Sequence, residues 1–328
     1  MTVWSRFVRM LDTDEDGRSL AVVRILVGLS VLAAMLEVVL PGALPVIWFD
    51  VSHGGYRPLG EGTPLVANLG GPTPGVVWGL ATLTMLSGAA LALGAFGRLS
   101  AFLALQGFLG VAWLNGHTAG SYDFVVTNAL WLLVLAQADA TGGIRARLAT
   151  GAWWPRVAVP AWPRWLMVVQ LVLMYTSTGL QKVSAHWVPG GDMTALYYIM
   201  QQPSWQRMDL SAAAWMLPLS QAATLGSWLW EVSAPLLLLA FWFRRTRTRG
   251  GWLRATFNRL DVRLVFAVFG AIMHAGIHTL MDVGPFSYLT LALYPALFSP
   301  EELGTRWFAR RGLPLLWGAL VLSGLLAS

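Results

Sequence analysis

Cysteine is absent from the 328 residues. Its absence excludes disulfides, thiolate nucleophiles, Cys-ligated zinc and iron–sulfur clusters, so any chemistry has to come from other side chains. Charge is scarce too, at 12% of residues against 56% hydrophobic. That balance, with repeated apolar runs longer than a soluble core helix needs, belongs to a membrane protein. Lysine is nearly missing: of 22 cationic residues, only Lys182 is a lysine. The net charge of +6 therefore comes from arginines, which cluster between apolar runs as membrane orientation requires. No basic patch interleaved with aromatics points to nucleic acid. Residues 1–18 lack the apolar core and small-residue cleavage site of a removable signal peptide, so the first apolar run is expected to be its own insertion signal.

Runs of spanning or near-spanning length occur at 19–40, 75–96, 99–115, 121–139, 165–181, 212–243, 264–282, 286–298 and 313–327. A spanning helix needs roughly 20 residues, so the expectation is an all-α polytopic bundle of about nine transmembrane helices. It would comprise a cytoplasmic segment, 1–18, and one membrane domain, 19–328.

Arginine placement sets the orientation. Arg6, Arg9 and Arg18 precede the first run, and Arg98 separates the second from the third. Arg145, Arg147, Arg156 and Arg164 lie between 121–139 and 165–181, while seven arginines from Arg244 to Arg263 follow 212–243. Arg306, Arg310 and Arg311 precede the last run, and the other connections hold only Arg57, Lys182 and Arg207. This alternation predicts a plasma-membrane protein with its N-terminus in the cytoplasm and its C-terminus outside. His53, His117, His186, His274 and His278 then all fall on the outer side or in the outer half of a helix.

Four polar features need explaining. Lys182, at the outer end of 165–181, is the one cation able to lose its proton when desolvated, which guanidinium effectively cannot do. It suits a general base; it also suits an interfacial lysine snorkelling beside Trp187. Arg24 lies roughly 9 Å inside the first run, counting 1.5 Å per residue from Arg18, and Glu231 stands near the middle of 212–243. Charges at such depth must face the protein interior or water. They could pair with one another, or Glu231 could orient a catalytic cation and relay protons. His274 and His278, one turn apart, share a helix face and could offer two metal ligands, but no HExxH pattern or carboxylate cluster accompanies them, so no metal is expected. His117 follows Asn115-Gly116, with Tyr122 and Asp123 just beyond.

Ordered motifs spanning residues 19 to 301 carry a resemblance. Gly179-Leu180-Gln181-Lys182, followed by Trp187 and Gly190, resembles the segment of vitamin K-dependent γ-glutamyl carboxylases that holds the catalytic base. His274 with Phe286-Ser287-Tyr288 and Phe298-Ser299-Pro300-Glu301 is similar to a second carboxylase segment with a functionally important histidine. Ser19 to Arg24 with Gly28, Asn115-Gly116-His117, and Glu231-Val232-Ser233-Ala234 match in the same order. On these motifs the chain is identified as a member of the HTTM (horizontally transferred transmembrane) superfamily. It departs from the carboxylases in having Gln181-Lys182 where they carry a lysine doublet, and with the sequence stopping after the ninth run it is expected to do without their large lumenal C-terminal region.

The resemblance implies a quinol-dependent enzyme that modifies a peptide or small molecule at the outer face. Lys182 would deprotonate a reduced quinone, O₂ would convert it to a strong alkoxide base, and that base would abstract an unactivated proton. His117 and His274 would position or polarise intermediates, with Glu231 beside them in the catalytic set. Arg24, Trp187 and Tyr288 would bind the cofactor. A second expectation is a non-catalytic accessory factor, like the HTTM component in maturation of secreted sporulation-delaying peptide toxins. Lipophilic transport is a third, though no pair of interrupted segments recurs in matching halves.

Overall fold

In an apolar solvent every backbone N–H and C=O must find a partner within the chain, and the helix is the local solution. The computed structural model describes residues 2–210, 213–306 and 308–327, and it is all-α apart from one short ribbon, β1 (Asp14–Asp16) antiparallel to β2 (Ala158–Pro160). The main helices are α1 (Arg18–Val39), α2 (Pro74–Leu93), α3 (Gly97–Ala112), α4 (Ser121–Leu135), α5 (Ile144–Thr150), α6 (Trp162–Gln181), α7 (Leu217–Val232), α8 (Leu236–Arg245), α9 (Val262–Leu280), α10 (Phe286–Leu291) and α11 (Leu313–Ala327).

Among the described residues, α1, α2 and α9 are long and apolar enough to cross a membrane. Ala214–Val232 with Leu236–Arg245 makes a fourth span if a 54° bend is allowed. Helices of that length do not account for all nine expected spans among the described residues. The run at 212–243, which begins on a residue outside the described set, breaks at Ser233-Ala234-Pro235, because proline has no N–H to continue the ladder and its ring clashes with the preceding turn. The run at 286–298 divides for the same reason into α10 and a 3₁₀ turn, Tyr294–Leu297, that carries Pro295. α3, α4 and α11 are apolar but only 16, 15 and 15 residues long.

The described residues form two compact units, 1–167 with 288–328, and 168–287. In the first, α1 packs on α2 and α2 on α3. The close approach is set by glycine: a Cβ on Gly28 would lie 2.6 Å from the Ala92 nitrogen and 2.7 Å from the Gly88 oxygen. Small residues at helix crossings provide the van der Waals contact that replaces a hydrophobic driving force within lipid. At one end of this unit Met35, Leu44, Trp48, Val77, Leu80 and Leu114 form a core cluster. At the opposite end Arg164 grips Glu15 with two nitrogens, at 2.5 and 2.6 Å, and donates to the Ala296 carbonyl at 2.8 Å. That end also gathers Arg18, Arg98 and Arg145, so these arginine-bearing connections share one end of this unit.

In the second unit residues 168–181 of α6 pack against α7, and α7 against α9. A Cβ on Gly179 would lie 2.9 Å from the Glu231 Cβ and 3.0 Å from the Val232 nitrogen. The two backbones therefore meet where the lysine follows three residues later.

Candidate functional site

Lys182 follows directly on the last residue of α6, and its Nζ lies 2.6 Å from the Glu231 Oε2 of α7. The Glu231 side chain is 6% exposed and that of Lys182 16%, so the pair is withdrawn from solvent. On its other side Nζ sits 4.2 Å from the centre of the half-buried Trp187 ring, a cation–π contact. One ammonium is thus held between a carboxylate and an indole face. Where the sequence left an Arg24–Glu231 pair open, Glu231 takes Lys182 within the second unit and Arg24 is held by carbonyls within the first.

His274, on α9, is fully buried, and its Nε2 is 2.8 Å from the Tyr175 hydroxyl of α6. Tyr175 meets the Trp230 ring edge-on at 4.2 Å, Trp230 stacks on Phe266 at 4.5 Å, and the Trp230 Nε1–H donates to the Phe266 carbonyl at 3.0 Å. Phe286 covers the imidazole with ring centres 5.2 Å apart. Because Trp230 and Glu231 are neighbours, a continuous set of contacts links Lys182 to His274. His278 is buried one turn further along the same helix. Among the described residues no group of three or more His, Asp or Glu side chains is arranged to hold a metal.

Tyr175 is the participant that sequence reasoning missed. Its signal was its position seven residues before Lys182, two helical turns, which puts both on one face of α6. Trp230 was missed as well, since nothing in the sequence sets it apart from the other tryptophans among the 18.

His117, Arg24 and Tyr288 lie in the first unit. The exposed His117 donates its backbone N–H to the Asn115 Oδ1 at 3.1 Å, and Asn115 Nδ2 donates to the Ile47 carbonyl at 2.9 Å, which fixes the turn. Arg24 is wholly buried. It donates to the carbonyls of Ala138 at 3.1 Å, Ala92 at 3.1 Å, Gly142 at 2.6 Å and Leu91. Tyr288 is wholly buried, close to Glu37 and Tyr122.

The family model for the HTTM domain matches residues 13–266. The chain belongs to the HTTM family. With its apolar helices, this makes it a membrane protein of a carboxylase-related family. No curated protein and no solved structure matches it.

Proposed function

We propose that this HTTM protein is a carboxylase-like membrane enzyme that uses a reduced quinone and a lysine base to modify a peptide or small molecule at the non-cytoplasmic face of the plasma membrane. The observation that carries the proposal is the Lys182–Glu231 pair, 2.6 Å apart and backed by Trp187. A lysine ammonium alone cannot accept a proton. A carboxylate at hydrogen-bond distance in a desolvated setting offers the exit: one N–H proton passes to Glu231, leaving a neutral amine on Lys182. The amine then takes the hydroxyl proton of the quinol, and the positive charge returns to Nζ, where the indole face stabilises it while Glu231 still holds the first proton.

The donor chemistry fits a quinol, since Trp187 offers an aromatic face and Lys182 a single proton acceptor beside it. When bound, the quinol supplies the oxygen-derived base that removes the unactivated proton. His274, locked by Tyr175 with Phe286 across its ring, offers a fixed polar group in an apolar wall, and the wall excludes water. An apolar pocket reachable from the lipid, between α6 and α9 and ending at Lys182 and His274, belongs to the same proposal. The resemblance alone assigns parts to His117, Arg24 and Tyr288. The same ion pair, joined by the Gly179 contact, also suits a purely structural clasp between α6 and α7; the protein would then act as an accessory factor in maturation, export or immunity of a secreted peptide toxin.

Oxygen uptake separates the two. The purified protein, given a reduced quinone, should consume O₂, and Lys182→Arg should abolish the uptake, because arginine keeps charge, pairing and anchoring but cannot give up its proton. Full uptake by Lys182→Arg would leave the structural clasp.

A further inference from the structure

At the arginine-bearing end of the first unit lies a cleft of about 810 Å³, open along one side. Its walls divide by chemistry. Phe96, Leu99 and Leu148 line it and are 76%, 54% and 82% exposed, an apolar surface that the described residues leave open. Arg98, Arg145 and Asp139 supply the polar wall.

The two arginines are held by a single short connection. Arg98 Nε donates to the Ala136 carbonyl at 3.1 Å, and Arg145 Nη1 donates to Asp139 Oδ1 at 2.6 Å. The buried Asp139 also accepts the Gly97 N–H on Oδ2 at 3.1 Å, so both its oxygens are engaged. Each guanidinium is therefore anchored through one nitrogen, with the remaining N–H groups of its planar fork free for a second partner. Phe96 adopts a left-handed backbone (φ 52°), an uncommon conformation for a bulky residue, at the turn between α2 and α3.

We propose that this cleft binds an anionic glycerophospholipid of the adjacent leaflet. The phosphate lies between Arg98 and Arg145, and the acyl chains run over Phe96, Leu99 and Leu148. Three features favour this occupant. Two guanidinium groups against one satisfied carboxylate leave a net positive rim. Exposed leucine and phenylalanine continue from the rim as an acyl chain would. The arginine alternation assigns this end to the cytoplasmic leaflet, where anionic lipids concentrate.

Native mass spectrometry of the full-length protein in detergent tests the site, with phosphatidylglycerol, phosphatidylcholine or inorganic phosphate added. Phosphatidylglycerol should bind at least tenfold more tightly than phosphatidylcholine, and excess inorganic phosphate should not displace it. Arg98→Gln with Arg145→Gln should remove that tenfold preference. Leu148→Asp, an exposed change that leaves both arginines in place, should weaken binding of either lipid and decides the matter if the double variant fails to fold. Equal binding of the two lipids, displacement by phosphate, or unchanged binding by Leu148→Asp would each overturn the proposal.

Discussion

Glu231 and Lys182 each stabilise a charge that apolar surroundings would otherwise penalise, so removing either partner should cost more than altering it. Glu231→Ala leaves an ammonium without its counter-ion and should destabilise the protein by about 3 kcal/mol, whereas Glu231→Gln keeps a hydrogen-bond acceptor and should lose less. Thermal unfolding in detergent measures the difference; equal losses would mean that the pair is not closed in the folded protein. Tyr175→Phe withdraws the hydroxyl from His274 inside a closed aromatic cluster and should cost about 1–3 kcal/mol by the same assay. In the loop after α6, Asp192 is held below the usual carboxylate range by the Thr194 hydroxyl and then by His186, whose Nδ1 lies 2.8 Å away. A carboxyl whose pKa is depressed on folding stabilises the fold above its ordinary value near 3.8 and loses that contribution as the pH falls through the folded value. Proteolysis of residues 183–194 should therefore accelerate at pH 3 relative to pH 5 with an acid-active protease, and Asp192→Asn should show the faster rate at both. The candidate residues were legible because a charge or histidine inside an apolar run is conspicuous. Their partners were not. Arg24 could be expected to seek Glu231, but a helix-end carbonyl cage satisfied it instead, and no one-dimensional pattern records where carbonyls converge.

Among the elements, α6 and α7 show how a single small residue places a site. Gly179 lets the α7 backbone approach where Glu231 projects, and Gly179→Val would insert its branched side chain into Glu231 and Val232. The expected outcome is a loss of about 1–3 kcal/mol from overpacking, together with loss of the lysine's activity. An unchanged melting temperature would show that the helices are not in contact at that point. Gly179 was visible in the sequence as part of a motif, but its partner helix was not. Helix existence was legible from hydropathy, and helix continuity less so. Composition sees an apolar run at 212–243, while Pro235 acts on backbone geometry, and the bend places Glu231 immediately before the break.

For the molecule as a whole, arginine alternation predicts which connections share a side, and the first unit gathers its arginine-bearing connections at one end. The side itself is tested by single cysteines in this Cys-free chain. Cysteines at 60, 119 and 205 should label from outside intact cells, and those at 147 and 250 should not. Labelling at 250 would reverse the orientation. The all-α membrane class was legible because it follows from apolar composition alone, whereas the number of crossings depends on where prolines and short helices interrupt the runs. The central claim, that Lys182 performs chemistry on an exported substrate, is tested most directly by mass spectrometry of the peptides and small molecules released by cells carrying the wild-type protein, Lys182→Arg, or no copy. The account predicts a mass-shifted product made only with the wild type, while Lys182→Arg accumulates in the membrane at the wild-type level. The same product from Lys182→Arg cells in full amount would contradict it.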